Sequence, residues 1–231
     1  MPDRSVSARQ MTRGVSLAVD VVLFTPRDTE LAVLLAPSFN GNGRARARIG
    51  LPSDALLADE SLDAAAARIA RDALGAPPSL LDQAGTHGSA RRHADAQVTV
   101  TYFGLVPENG TSARASEIHW TALSHLPVLA ARQREGIDSA VAAMRAQVDQ
   151  QPIAFRLLPA AFTLSELQSV YELLLGRRLH KASFRRSLHA SALVEATDEW
   201  RSEGRGRPAQ LFRYRPPRRR RHRRGIRFDL L

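Results

Sequence analysis

The chain has no cysteine, a single lysine (Lys181) among its 33 basic residues, and only 6% aromatics. Without thiols, disulfides, thiolate metal sites and cysteine nucleophiles are excluded. The seven histidines never fall in His-x-His or His-Glu-x-x-His spacing, so no histidine metal centre is expected. No apolar run approaches the ~20 residues of a membrane-spanning helix. Met1–Gly14 carries basic residues but no apolar stretch of signal-peptide length, so a cytoplasmic protein is expected. Arginine in place of lysine, with abundant alanine, fits a GC-rich coding sequence. The arginine excess therefore needs no functional reading by itself.

What is present is charge, and it sits at one end. Residues 151–231 carry 18 Lys+Arg against 7 Asp+Glu, whereas residues 1–150 carry 15 against 16. A near-neutral body joined to a basic end implies two jobs, the second directed at a polyanion such as nucleic acid. A chain of 231 residues is long enough for one large domain or two modest ones.

Hydrophobic patterning outlines the elements. Val15–Thr25 is apolar and β-branched, and reads as a buried strand. Pro26-Arg27-Asp28 reads as a turn and Leu31–Leu35 as the returning strand. Ser38–Arg48, rich in Gly, Asn and Arg, reads as a loop, and a second loop ends at Glu60-Ser61. From Leu62 to Ala73 apolar residues recur at helical spacing, with Ser61 as N-cap and Gly75 as stop. Ala84–Gly88, Gln97–Val106 and Glu117–Leu123 read as strands. Strands on both sides of one helix predict an α+β sandwich. Ala130–Val148 is helical, with Ile137, Val141, Met144 and Val148 on one stripe. Thr163–Leu175 opens on a capping box (Thr163, Glu166) and stops at Gly176. His180–Ala190 is a further helix. Leu193–Trp200 and Gln210–Tyr214 are short strands around a Gly/Arg-rich turn.

Helix, turn, helix and two-stranded wing is a way to present one helix to the DNA major groove. The candidate contacts are Lys181, Ser183, Arg185 and Arg186 on that helix and Arg205 and Arg207 in the wing. Phe184 and Leu188 are expected to face inward, leaving Lys181 and Arg185, four residues apart, on one outer face. Arg215–Arg224 holds seven arginines in ten residues. Such a tail adds phosphate affinity and salt dependence without reading sequence.

The central window Leu51–Ala76, LPSDALLADESLDAAAARIARDALGA, resembles the Nudix box, the loop–helix–loop of enzymes that cleave nucleoside diphosphates linked to another group. Glu60, Arg68 and Gly75 fall on that family's positions. The carboxylates that hold Mg²⁺ in the box do not recur. Ile69 stands for the first helical glutamate, Asp72-Ala73 for the following pair, and Asp54 for the leading glycine. The resemblance thus implies the Nudix fold and argues against the Nudix reaction. Further on, Leu157-Leu158-Pro159, Phe162–Gln168, Val170-Tyr171-Glu172, Lys181, Phe184-Arg185-Arg186 and Gly206–Phe212 resemble the winged-helix half of the Nudix-related transcriptional regulators. These are NAD-metabolism repressors and their sugar-responsive relatives. The resemblance spans about residues 15–214, and Pro152-Ile153-Ala154-Phe155 fits the family's linker.

That resemblance implies a Nudix-like α/β/α sandwich followed by a winged helix-turn-helix. The expected divisions are an N-terminal arm (1–14), a ligand-sensing domain (15–132), a DNA-binding domain (133–214) and a basic, disordered tail (215–231). It further implies a repressor of palindromic operators, acting as a homodimer with no cofactor, whose sensor takes ADP-ribose or a phosphorylated sugar. Arg91 and Arg92 lie in the region that borders the family's ligand pocket, and either could grip a pyrophosphate or belong to an exposed basic loop. Arg132-Gln133 stands where an Asp-His pair is common in the family. Two other readings stay open: a Nudix pyrophosphatase with a rearranged metal site, and a nucleic-acid-coating protein driven by the tail.

Overall fold

The computed structural model describes residues 16–27, 29–39, 45–89, 97–108, 110, 119–202 and 208–216. The expected N-terminal arm, Asp28, Arg91 and Arg92, the wing turn with Arg205 and Arg207, and the tail beyond Pro216 lie outside the described residues.

Strand β1 (Ser16–Arg27) is the axis of the larger unit. Its even and odd residues face opposite sides, and Ala18–Thr25 are all buried, as a strand covered on both faces requires. It pairs antiparallel with β2 (Glu30–Phe39) and with β4 (Ser53–Ala55), and parallel with β6 (Gln97–Leu105). β3 (Ala45–Gly50) extends the sheet beyond β2, β5 (Leu80–Ser89) flanks β6, and β7 (His119–Ala122) pairs with β2. The sheet thus has seven strands, with β3-β2-β1-β6-β5 as its main order.

Helix α1 (Leu62–Leu74) covers one face. Ser61 caps it by accepting a hydrogen bond from the Ala64 N–H, and Gly75 closes it in the left-handed region at φ +73°. Ala65, Ala66, Ile69, Ala70 and Leu74 pack there against Val19, Val21 and Val100. Helix α2 (Ala131–Gln150) covers the opposite face through Ile137, Ala140, Met144 and Val148.

The remaining elements form the smaller unit. A 3₁₀ turn at Ile153–Leu157 buries Ile153, Ala154, Phe155 and Leu157. It leads to α3 (Leu164–Leu175), α4 (Lys181–Ser191) and the hairpin β8 (Val194–Arg201) with β9 (Ala209–Tyr214). Phe162 bridges to Phe212, so the hairpin is pinned to the segment before α3. Phe155 is the aromatic hub, with ring centroids 5.7 Å from Phe162 and 4.5 Å from Tyr214.

Several expectations need correction. Pro26 and Arg27 are strand residues, paired with Leu31 and Glu30, because the hairpin reverses only after Arg27. Much of the expected 38–48 loop is strand: β2 runs to Phe39 and β3 starts at Ala45. β5 begins at Leu80, four residues before the expected start. Helix α2, placed with the DNA-binding half by a boundary at 133, packs on β1, β5 and β6 as the second helical layer of the sandwich. Its apolar stripe fixes which face is buried, but not what covers it.

Candidate functional site

The nucleic-acid candidate is built on the turn between α3 and α4. The Thr163 hydroxyl accepts from the Glu166 N–H at 3.1 Å, and the Glu166 carboxylate accepts from the Thr163 N–H at 2.6 Å. This is the expected capping box. Gly176 ends α3 at φ +67°. Glu172, which the sequence reading left without a role, fixes the turn that follows. It accepts from the Leu179 N–H, the Gln168 amide and the Arg178 guanidinium, each at 2.9 Å. Burial raises the Glu172 pKa, but these donors outweigh it and hold the carboxyl below the ordinary carboxylate range.

Phe184 and Leu188 are each 1% exposed, and Phe184 meets Tyr171 edge-on at 5.8 Å. With those two anchored inward, Lys181, Arg185 and Arg186 are exposed and Ser183 is half-buried. None of the three cations pairs with an acid of the described residues, whereas Arg201 binds Glu166 at 2.6 Å and Arg213 binds Glu199 at 3.3 Å. The outer face of α4 is therefore an uncompensated basic surface on a well-anchored helix.

On α1 the arrangement is the reverse. The Arg68 guanidinium grips both Glu60 oxygens at 2.9 and 3.0 Å and reaches Asp54 at 2.6 Å. Hydrogen bonding by Arg68 holds Glu60 below the ordinary carboxylate range, and the same bonds raise Arg68. Ile69 is buried in the core, Ala73 is half-buried and apolar, and Asp72 is exposed with no hydrogen-bond or ion-pair partner among the described residues. Gly75 serves as the helix stop. Mg²⁺ needs several hard oxygen ligands in near-octahedral array. Both Glu60 oxygens are engaged by Arg68, and among the described residues no group of three or more His, Asp or Glu, Asp72 included, is placed to hold a metal. These residues do not fit the metal that the box implies.

The α2 face of the sheet carries a polar cluster that sequence reading missed. Asp20, fully buried on β1, accepts two bonds from Arg132 at 2.9 and 3.0 Å and one from Ser53 at 2.5 Å. Arg132 also reaches the Thr99 hydroxyl at 3.0 Å. Gln133 lies over Gly50, where an added Cβ would meet its amide at 2.7 Å. Asp20 was hidden because it is a lone acid in an apolar run. Its half-buried partner Arg132, 112 residues away, and Ser53 together make it tolerable.

Residues 154–214 match the NrtR DNA-binding winged helix domain. The chain is 30% identical over 206 residues to a protein of Acinetobacter baylyi described as an ADPR responsive transcriptional repressor. That alignment covers 86% of this chain and 81% of the relative. The chain belongs to the NrtR family. The crystal structure of Shewanella oneidensis NrtR with a 27mer DNA superposes at TM-score 0.73, with 32% identity, over 86% of this chain and 93% of that one. A MutT/nudix family protein from Enterococcus faecalis, at 21% identity and TM-score 0.67 over 88% of this chain and 89% of that one, shares the fold. The NrtR-type reader and the Nudix-like sensor are thus both present, in the family's order.

Proposed function

We propose that this chain is a DNA-binding transcriptional repressor whose Nudix-like domain senses ADP-ribose or a related phosphorylated sugar and does no Nudix chemistry. The observation that carries the reading is the contrast between the two helices. Helix α4 presents Lys181, Arg185 and Arg186 without acidic partners among the described residues. Helix α1 keeps only Asp72 among the box's helical acids, and its Arg68 clamps Glu60, the acid of the preceding loop. Arg185 and Lys181 take base edges or phosphates in the major groove, and Ser183 adds a short polar contact. Arg205 and Arg207 would extend contact from the wing. The ADP-ribose assignment is supported by the name of the Acinetobacter relative. Arg91 and Arg92 are carried forward as pyrophosphate contacts. A homodimer on a palindromic operator doubles the short site that one winged helix reads. ADP-ribose must then favour one dimer geometry if it is to release DNA.

The test is paired. Operator binding should weaken as ADP-ribose is added, and incubation of ADP-ribose with Mg²⁺ should yield no product above background. Turnover that disappears on Asp72→Ala would establish the pyrophosphatase reading instead. Operator binding that ignores ADP-ribose would remove the effector while leaving the repressor.

A further inference from the structure

A cleft of about 530 Å³ lies where the sensor meets the reader. The sensor contributes Leu31 at the base of the β1–β2 hairpin, Leu123 and Ser124 after β7, and Arg145 on α2. The reader contributes Leu173 and the turn after α3, including Arg177 and Arg178. Its size falls within the range of small-molecule sites, roughly 300–1,000 Å³.

The charges of this cleft are not balanced. Three arginines face two acids, Glu30 and Glu172. Glu172 is used by Arg178 and by two uncharged donors. Glu30 accepts from the Ser124 hydroxyl at 2.5 Å. Arg145 and Arg177 are left without an acid among the described residues. A cation beside a helix C-terminus is favourable in any case. Here, however, the Glu172 and Leu173 carbonyls accept from the Gly176 and Arg177 N–H groups. Neither the Arg145 nor the Arg177 guanidinium donates a hydrogen bond among the described residues, so both keep their donors. The Arg145 guanidinium lies directly over Gly176, with Nη2 2.3 Å from where a Cβ would stand. Leu31, Leu123 and Leu173 give the same cleft its apolar lining.

We infer that this seam binds a small carboxylate with a compact apolar body, its carboxylate held by Arg145 and Arg177 and its body on the three leucines. One surplus positive charge matches a monoanion, and guanidinium–carboxylate pairing is the geometry those donors favour. The site is separate from the ADP-ribose site proposed above and stands without it. A ligand here touches α2 and α3 together, so it fixes the reader against the sensor.

The experiment is calorimetric titration of the full-length protein with 4-methylpentanoate, alongside acetate, inorganic phosphate and 4-methylpentanol. The expected result is one saturable site for 4-methylpentanoate, at least about tenfold tighter than for acetate or phosphate, and none for the alcohol. Arg145→Ala and Arg177→Ala should each weaken it about tenfold or more. Arg71→Ala, on the exposed side of α1, should leave it unchanged. Hydrogen exchange should slow at residues 169–180 when the probe is bound. Absence of saturable binding, equal binding of acetate and phosphate, or binding insensitive to both cleft substitutions would each overturn the site. If the substitutions spare the probe but reduce the salt dependence of operator binding, the cleft arginines serve DNA phosphates and the inference fails.

Discussion

Arg185 and Glu172 show how differently two charged residues on adjacent helices can act. Arg185 is exposed, and no acid among the described residues pairs with its guanidinium. A bidentate arginine–guanine contact discriminates by about 1–3 kcal/mol. Arg185→Ala should therefore compress the affinity differences among operator variants by roughly 5- to 150-fold, while a random duplex is bound almost as before. Unchanged preference would move base reading to another residue. Glu172 is a structural acid whose worth depends on pH. Its carboxyl is held below the ordinary range in the folded state. Its contribution is thus fully present above the unfolded value, about 4.3, and is lost as pH falls through the lower folded value. Denaturant unfolding should show Glu172→Gln less stable than wild type at pH 7, and the gap should shrink below about pH 4. A gap constant from pH 7 to pH 3 would mean that the residue acts by packing alone. The outward placement of Arg185 was legible because Phe184 and Leu188 on the same helix mark its inner face. The role of Glu172 was not legible, because its partners, Gln168, Arg178 and Leu179, meet it only once the turn has formed.

Among the elements, helices were more legible than strands for a physical reason. Caps are local: Ser61, Thr163 with Glu166, Gly75 and Gly176 all serve as the sequence pattern indicates. Strand limits depend on partners far along the chain. Ala45–Gly50 carries arginines and glycine and looks like loop, yet it is strand because β2 offers it an edge. The same distinction separates α1 from α2. The cover of α1 is close in sequence, whereas α2 binds a sheet whose strands were made up to a hundred residues earlier. Two substitutions test the α3 element. Thr163→Ala removes the capping hydroxyl and should cost about 1 kcal/mol in denaturant unfolding. Gly176→Ala meets a left-handed backbone at φ +67° and the Arg145 guanidinium at 2.3 Å. It should cost about 1–2 kcal/mol for the backbone alone, and more unless Arg145 moves. Combining it with Arg145→Ala should recover the excess over the backbone cost. If the double variant shows no such recovery, the contact between Arg145 and the turn is not what resists the methyl group.

At the scale of the whole molecule, the sensor and reader share one core. A continuous set of buried side chains runs from Val22, Val33 and Phe103 of the sheet, through Ile137, Met144 and Val148 of α2, to Phe155, Leu167, Tyr171 and Phe184 of the reader. Sequence alone separates the halves by charge and resemblance, and it cannot register that the linker segment Ile153–Leu157 is itself interior. This continuity has a thermodynamic consequence. Two domains joined only by a linker can unfold separately, whereas two that share buried contacts unfold together. The chain's two tryptophans report the two halves: Trp120 on β7 packs against the α1 side of the sheet, and Trp200 stands on the wing strand β8, 58% exposed. With Trp200→Phe and Trp120→Phe variants, each transition can be followed alone. The denaturant midpoints should coincide. Met144→Ala, which empties a fully buried position on α2, should lower both by the same amount, equivalent to about 2–5 kcal/mol. If only the Trp120 transition moved, α2 would belong energetically to the sensor alone. The shared core would then not couple the Nudix-like unit to α4.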